Sequence, residues 1–264
     1  MNVLKYIGCI GLACAILASC KDYDSAYSDV PMTNNAIVFD GSILEYLEQG
    51  DPDLGVDYDS MLFVINNIPG LRDSLAQTNN LKTVFAVPNS CFQEAMLRLN
   101  NYRAEKERGG PLSLQDFMIE PFVVIEERPG PVPDSTIIIE HHYDYRLQLD
   151  SLISRYILEG DINTQSLSDY PDGLDTREFK FSYLMHVLFQ RQFASGIENM
   201  GQRRIILSDK NGTQLDEMWD RSETQAIDIQ THNGYVHVLV NGHEFGFSKL
   251  IANFQNYGNE YIFD

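Results

Sequence analysis

Thr83-Val84-Phe85-Ala86-Val87-Pro88-Asn89-Ser90-Cys91-Phe92 is the stretch on which the reading of this chain turns. Thr83 to Val87 is a run rich in β-forming residues and reads as a buried strand. Pro88 stops it, because proline has no N–H to give a strand ladder. Asn89 or Ser90 can then cap a helix whose apolar positions include Phe92, Met96, Leu97 and Leu99. A buried strand that turns directly into a helix points to a mixed α and β architecture.

Toward the N-terminus, Ser42-Ile43-Leu44-Glu45 has the capping-box spacing of serine and glutamate, so a helix starts there with Leu44, Tyr46 and Leu47 facing the core. After an Asp- and Gly-rich loop from Gly50 to Asp59, Leu62, Phe63, Ile65 and Ile68 fall at helical spacing. Pro69-Gly70 interrupts that pattern, and Leu71 and Leu75 predict a further short helix.

Toward the C-terminus the composition changes between about 102 and 142. A charged run from Arg103 to Arg108 leads to Gly109-Gly110-Pro111, and Pro129-Gly130-Pro131-Val132-Pro133 breaks the chain again. The short apolar stretches Phe122 to Ile125 and Ile137 to Ile139 predict an inserted hairpin within one domain. Leu147, Leu149, Leu152, Ile153 and Tyr156 then predict a helix that ends near Gly160. The remainder reads mostly as strand, over Phe179 to Phe181, Met185 to Phe193 and Arg204 to Leu207. Finally, Ile227 to Gln230 and Tyr235 to Val240 flank Asn233-Gly234, a hairpin signature because both turn residues tolerate positive φ.

These motifs resemble the fasciclin-like domain family. Residues 83–92 look like its first signature, and Asn233-Gly234-Tyr235-Val236-His237-Val238-Leu239 resembles its second. Leu152 to Gly160 is similar to its central helix and glycine exit, and Ser42 to Leu75 matches its opening helices. The resemblance runs from about Ile37 to Leu250, leaving the insertion unmatched and 251–264 as a C-terminal tail. It implies an α+β fold: a twisted β-sheet core with helices packed at one side, plus the insertion between the first helices and strand and the central helix. Many members end the central helix in Tyr-His, a pair linked to adhesion in animal proteins; the matching positions here hold Arg155-Tyr156. The insertion and Val240 to Phe247 resemble a bacterial surface-lipoprotein branch, whose members accompany outer-membrane nutrient-uptake systems.

The N-terminus adds a compartment. Lys5, the apolar run Tyr6 to Ala18 and Leu17-Ala18-Ser19-Cys20 have the layout of a secretory signal peptide over 1–19. The tetrad resembles the lipobox of bacterial lipoproteins, which implies that Cys20 is acylated and anchors the mature chain to a membrane. The polar residues that follow, to about 36, read as a solvated tether, and the acidic start of that segment resembles surface-export signals. The expected location is the outer membrane, facing the exterior.

The chain carries 38 acidic against 19 basic residues, a formal charge of −19, and loss of Lys5 with the leader makes it more negative. That balance argues against nucleic acid as a partner. Cys9 and Cys14 leave with the leader and Cys20 takes lipid, so only Cys91 stays in the fold and no intrachain disulfide is possible. Its apolar surroundings predict a buried small hydrophobe.

Candidate chemistry is sparse. No G-x-S-x-G, P-loop, dinucleotide fingerprint or H-E-x-x-H occurs. His232, His237 and His243 lie close in sequence, but His237 reads as a hydrogen-bonded structural residue. Asp51, Asp53, Asp57 and Asp59 hint at a calcium loop, yet Leu62 stands where an EF-hand needs glutamate. Asp169, Asp172 and Asp175 read as a solvated acidic loop. Glu126 and Glu127 are adjacent in a strand and point to opposite faces. Phe117, Phe122, Tyr143 and Tyr145 read as aromatics that seal the insertion to the core, with sugar stacking or peptide gripping as the alternative. The expectation is therefore a non-catalytic binding domain without cofactor or metal, lipid-anchored at Cys20 and accessory to an uptake complex for glycan or peptide. An outer-membrane transporter or a surface lipoprotein is the expected partner, and no ligand-binding residue is assigned. An adhesin and a surface hydrolase are the alternatives.

Overall fold

The computed structural model describes residues 37–191 and 203–261. The leader, Cys20 and the tether to 36 lie outside the described residues, as do the last two positions of the strand expected over Met185 to Phe193.

The opening helices are α1 (Ile43–Gln49), α2 (Asp59–Asn67) and α3 (Leu71–Ala76). Ser42 caps α1 as a full capping box, its hydroxyl accepting from the Glu45 N–H while the Glu45 carboxylate accepts from the Ser42 N–H. Next come β2 (Lys82–Ala86) and α4 (Asn89–Glu105), preceded by a short β1 (Ile37–Val38). The charged run from Arg103 continues α4, so the excursion begins after the helix. Neither Asn89 nor Ser90 caps α4; the Asn89 amide oxygen instead accepts from the Ser60 N–H at 2.8 Å and ties α2 to the turn.

The inserted hairpin is β3 (Phe122–Pro129) and β4 (Thr136–Tyr143), longer than the apolar stretches that predicted it and a separate two-stranded sheet. Phe122 stacks with Tyr143 at 5.4 Å between ring centroids, and Tyr145 meets Tyr257 at 4.8 Å, so the aromatics seal the hairpin's base to the body. Further out, Val123, Ile125 and Ile138 are exposed.

After α5 (Tyr145–Ser154) the chain does not stay helical to Gly160. Ile157 to Glu159 forms β5, paired antiparallel with β2. Helix spacing and strand apolarity overlap in so short a run, and the unpaired edge of β2 decides the outcome. Then follow α6 (Thr164–Leu167), β6 (Leu174–Arg177), β7 (Leu184–Arg191), β8 (Arg203–Asp209), β9 (Asp220–Thr231), β10 (Gly234–Leu239) and α7 (Leu250–Phe254). Phe179 to Phe181, expected as strand, is a turn that wraps the buried Glu178 carboxylate, which accepts from the Lys180, Phe181 and Tyr183 N–H groups.

Among the described residues the main sheet runs β5-β2-β10-β9-β8-β7-β6, with β1 beside β9. The two segments that decide the sequence reading are neighbours: β10 lies parallel to β2, with Gly234 opposite Lys82 and Val238 opposite Ala86. β9 serves both halves of the sheet. Its start pairs with β8 and its end with β10, and it bends at Asp228, a residue at φ 59°. The bend lets the sheet curl until its ends meet, where Leu158 bridges Glu178 and the Phe179 N–H donates to the Ile157 carbonyl. Val84, Val187, Leu207, Val236 and Val238 fill the interior, with α1 to α5 and α7 packed as a layer beside it. The stretch expected as a tail from 251 is folded in. Phe254 stacks on Phe117 at 4.0 Å, and Glu260 accepts from the Tyr145 hydroxyl at 2.5 Å.

Candidate functional site

The outer face of strands β7, β8 and β9 carries a cleft. Period-2 alternation sends Met185, Val187, Ile205 and Leu207 inward and leaves the residues between them outside. Register aligns those outward residues in rows across the strands. His186, Ser208 and Arg221 form one row, Leu188, Ile206 and Glu223 the next, and Gln190 and Arg204 the third. Together with Asp172, Asp216 and Trp219 they line a cleft of about 670 Å³, within the usual range of small-molecule sites.

Trp219, the only tryptophan in the chain, stands at one end. Its indole N–H donates to the Thr213 carbonyl at 3.0 Å, which fixes the ring. The ring lies 4.9 Å from the His186 ring and 4.8 Å from the Lys210 ammonium. Lys210 is buried and donates to Asp175 at 2.6 Å, and the other Asp175 oxygen meets His186 Nδ1 at 2.8 Å. Burial opposes the charge on Asp175, but the hydrogen bonds from Lys210 and His186 outweigh it and hold the carboxyl below its ordinary range. Gly173, at φ 87°, supplies room: a Cβ there would sit 2.3 Å from His186 Nε2.

The charged residues of the cleft come as partners. Arg204 pairs with Glu223 and reaches Gln190 at 3.4 Å; Arg221 pairs with Asp216 at 3.1 Å. Arg204 Nε is buried and has no hydrogen-bond partner among the described residues. The surface thus combines donors and acceptors held in place, little net charge, and an aromatic ring beside an apolar strip of Leu188 and Ile206. Such a surface suits a polar, uncharged ligand with an apolar face. A groove of about 600 Å³ between α2 and α4 is of another kind, with Phe63, Phe92, Met96 and Leu114 in its walls.

The residues singled out from sequence lie elsewhere. His232 is on the surface beside Asp40, and His237 and His243 are buried in different places, so the three form no cluster. His237 accepts from the Asp228 N–H at 3.0 Å and donates from Nε2 to the Ile162 carbonyl at 2.8 Å, a structural role. Glu126, midway along β3, meets His141 at 2.9 Å, while Glu127 faces solvent on the other side. Asp51 accepts from Tyr46 and from the Asp53 and Leu54 N–H groups, and so shapes its own loop. Among the described residues no three His, Cys, Asp or Glu side chains are grouped to hold a metal ion. Cys91 is buried, and burial pushes its thiol up to about 11.

Arg155 and Tyr156, which occupy the adhesion-linked positions of the resemblance, are internal. Arg155 donates to Asp209 at 2.7 Å, and Tyr156 stacks on Phe247 at 5.2 Å between ring centroids. Of the acidic loop, Asp172 reaches the cleft wall and Asp175 orients His186; no sequence motif points to Trp219, Arg204 or Arg221. Little in the sequence marks them: Arg204 and Ser208 flank an unbroken apolar run, Ile205 to Leu207, and Trp219 is a lone tryptophan after a polar turn.

No protein-family model matches the chain, and no curated protein matches it. Among solved structures, it is similar to a FAS1 domain pair from the insect cell adhesion molecule Fasciclin I, at 14% identity and a TM-score of 0.43, over 75% of this chain. The match takes in 49% of that structure, so this chain spans about half its length.

Proposed function

We propose that the protein is an exported lipoprotein, anchored through Cys20, whose α+β fasciclin-like domain holds a neutral glycan in the β7–β9 cleft as an accessory of an outer-membrane uptake complex. The observation that carries the ligand class is the cleft in which polar side chains flank the apolar strip of Leu188 and Ile206 beside Trp219. A sugar ring offers hydroxyls at its edge and C–H bonds on its faces. The Arg204–Glu223 and Arg221–Asp216 pairs supply donors and acceptors without net charge, and the indole supplies an apolar plane. The adhesin alternative loses the surface its family motif would use, because Arg155 and Tyr156 are buried.

An array of neutral oligosaccharides probed with the purified protein tests the ligand class. Trp219→Ala is expected to weaken any bound member at least tenfold, about 1.4 kcal/mol, while leaving the melting temperature nearly unchanged. The absence of any member whose binding depends on Trp219 refutes the glycan reading. Apolar extended peptides that bind and are sensitive to Met96→Asp would instead favour the groove between α2 and α4.

The anchor is tested separately. Cys20→Ala is expected to abolish palmitate labelling and release the protein from the membrane fraction. Continued labelling and sedimentation with membranes would overturn the lipid anchor.

A further inference from the structure

At the mouth of the curled sheet, on the opposite face of β8 from the glycan cleft, lies a second polar cavity. Ser208 faces the cleft and its neighbour Asp209 faces this cavity, which has a volume of about 460 Å³. Arg155, Arg177 and Lys249 converge on it. Three cations in one cavity stand out in a chain with twice as many acidic as basic residues.

The carboxylates nearby do not use up that charge. Asp209 is buried and takes Arg155 Nε at 2.7 Å, Lys249 Nζ at 3.1 Å and the Asn211 N–H at 2.9 Å. Lys249 also meets Asp220 at 3.0 Å. Two acids therefore face three cations, and among the described residues Arg177 is the one without a carboxylate: its single hydrogen bond there runs from Nη1 to the Ser182 carbonyl at 2.8 Å. That bond orients the guanidinium and leaves Nε and Nη2 open. Arg155 is fixed as well, with its guanidinium 3.8 Å over the Tyr183 ring and Nη1 on the Ser151 carbonyl, and its Nη2 takes no hydrogen bond among the described residues. The rim is built from backbone that ordinary residues avoid: Ser182 sits at φ 60° and Asn211 at φ 52°.

We infer that this cavity is a binding site for a small organic carboxylate, taken by the open edge of Arg177 with Arg155 behind it. Guanidinium groups grip a carboxylate through two parallel N–H bonds, and the planar fork favours it over a point-like anion. The overall negative charge of the chain repels a polyanion, so the ligand is a monoanion of monosaccharide size. The site does not depend on the glycan reading of the outer cleft, since no residue lines both.

Calorimetric titration of the purified full-length protein with D-glucuronate, D-glucose and sulfate tests the assignment. Glucuronate is expected to bind. Arg177→Gln should weaken it at least tenfold, Arg177→Lys should restore part of the loss, and Trp219→Ala should leave it unchanged. Arg177 is exposed, so the melting temperatures of these variants should match that of the parent. Failure of glucuronate to bind, equal binding in Arg177→Gln, or equal affinity for glucose would overturn the proposal. Sulfate binding as tightly as glucuronate would overturn the carboxylate assignment.

Discussion

Gly234→Ala should cost about 4 kcal/mol of stability or more, at the extreme of what single substitutions do. A Cβ at this position would lie 1.8 Å from the Lys82 carbonyl oxygen and 2.8 Å from its carbonyl carbon. Those atoms are backbone, so no rotamer change relieves the contact. They also belong to the residue opposite Gly234 in the parallel β2–β10 pair, at the centre of the sheet. To make room, β10 must leave β2, and the interior formed by Val84, Val236 and Val238 opens. The φ of 146° adds backbone strain for any L side chain. Gly55→Ala separates the two effects. Gly55 is at φ 65° but a Cβ there meets nothing within 4 Å, so only the conformational cost of about 1 kcal/mol applies. Urea unfolding of both variants checks the argument: a Gly234→Ala protein no less stable than Gly55→Ala would show that strand contact does not decide the result.

The same turn shows how far sequence carries. Asn-Gly between β-rich runs predicted the hairpin correctly, but for a reason that holds for only one of the two residues. Asn233 does not adopt positive φ. Its side chain is buried and works as a clamp, accepting from the Ile43 N–H at 2.9 Å and donating to the Leu75 carbonyl at 2.7 Å, so the start of α1 and the end of α3 are both fixed to the hairpin. Local pattern reports that an asparagine suits the turn; only the fold shows what its amide holds. Strand β2, helix α1 and the inserted hairpin were legible because apolar period and punctuation agree there. Strand β5 was not, since Ile157 and Leu158 continue a helical pattern and only pairing with β2 makes them strand. The cleft was illegible for a related reason. Its lining comes from positions 172 to 223, and it is strand register that gathers them.

Acid should begin to destabilise this protein below about pH 6.5, before its carboxylates titrate, because two buried histidines are held neutral. His243 Nε2 lies 2.6 Å from the Tyr156 hydroxyl, and that oxygen accepts from the Gly246 N–H at 2.8 Å. The single Tyr156 proton therefore points at His243, which must present a lone pair there. The ring packs among Tyr156 and Phe247, and burial pushes its pKa down to about 3, against a smaller opposing pull from Asp220. Burial likewise lowers His237, despite its bond to the Ile162 carbonyl and the field of Asp228. Because both folded-state values lie below the ordinary histidine value, the unfolded chain binds protons below about pH 6.5 that the native state refuses, for His243 down to about pH 3. Stability is full above about pH 6.5 and falls as pH drops, by roughly 1.4 kcal/mol per pH unit through that window for His243, with His237 acting in the same direction. From His243 alone the loss approaches about 4 kcal/mol near pH 3.5, a large part of an ordinary domain's stability. Asp209, also lowered although burial opposes it, acts in a separate range below its ordinary carboxylate value. Urea midpoints from pH 8 to pH 4 measure the slope. His243→Gln keeps an acceptor for Tyr156 but cannot take up the proton. It is expected to start less stable at pH 8 and to lose stability less steeply, so that the two curves converge toward pH 4. A slope identical to the parent's would mean that His243 does not set the acid limit.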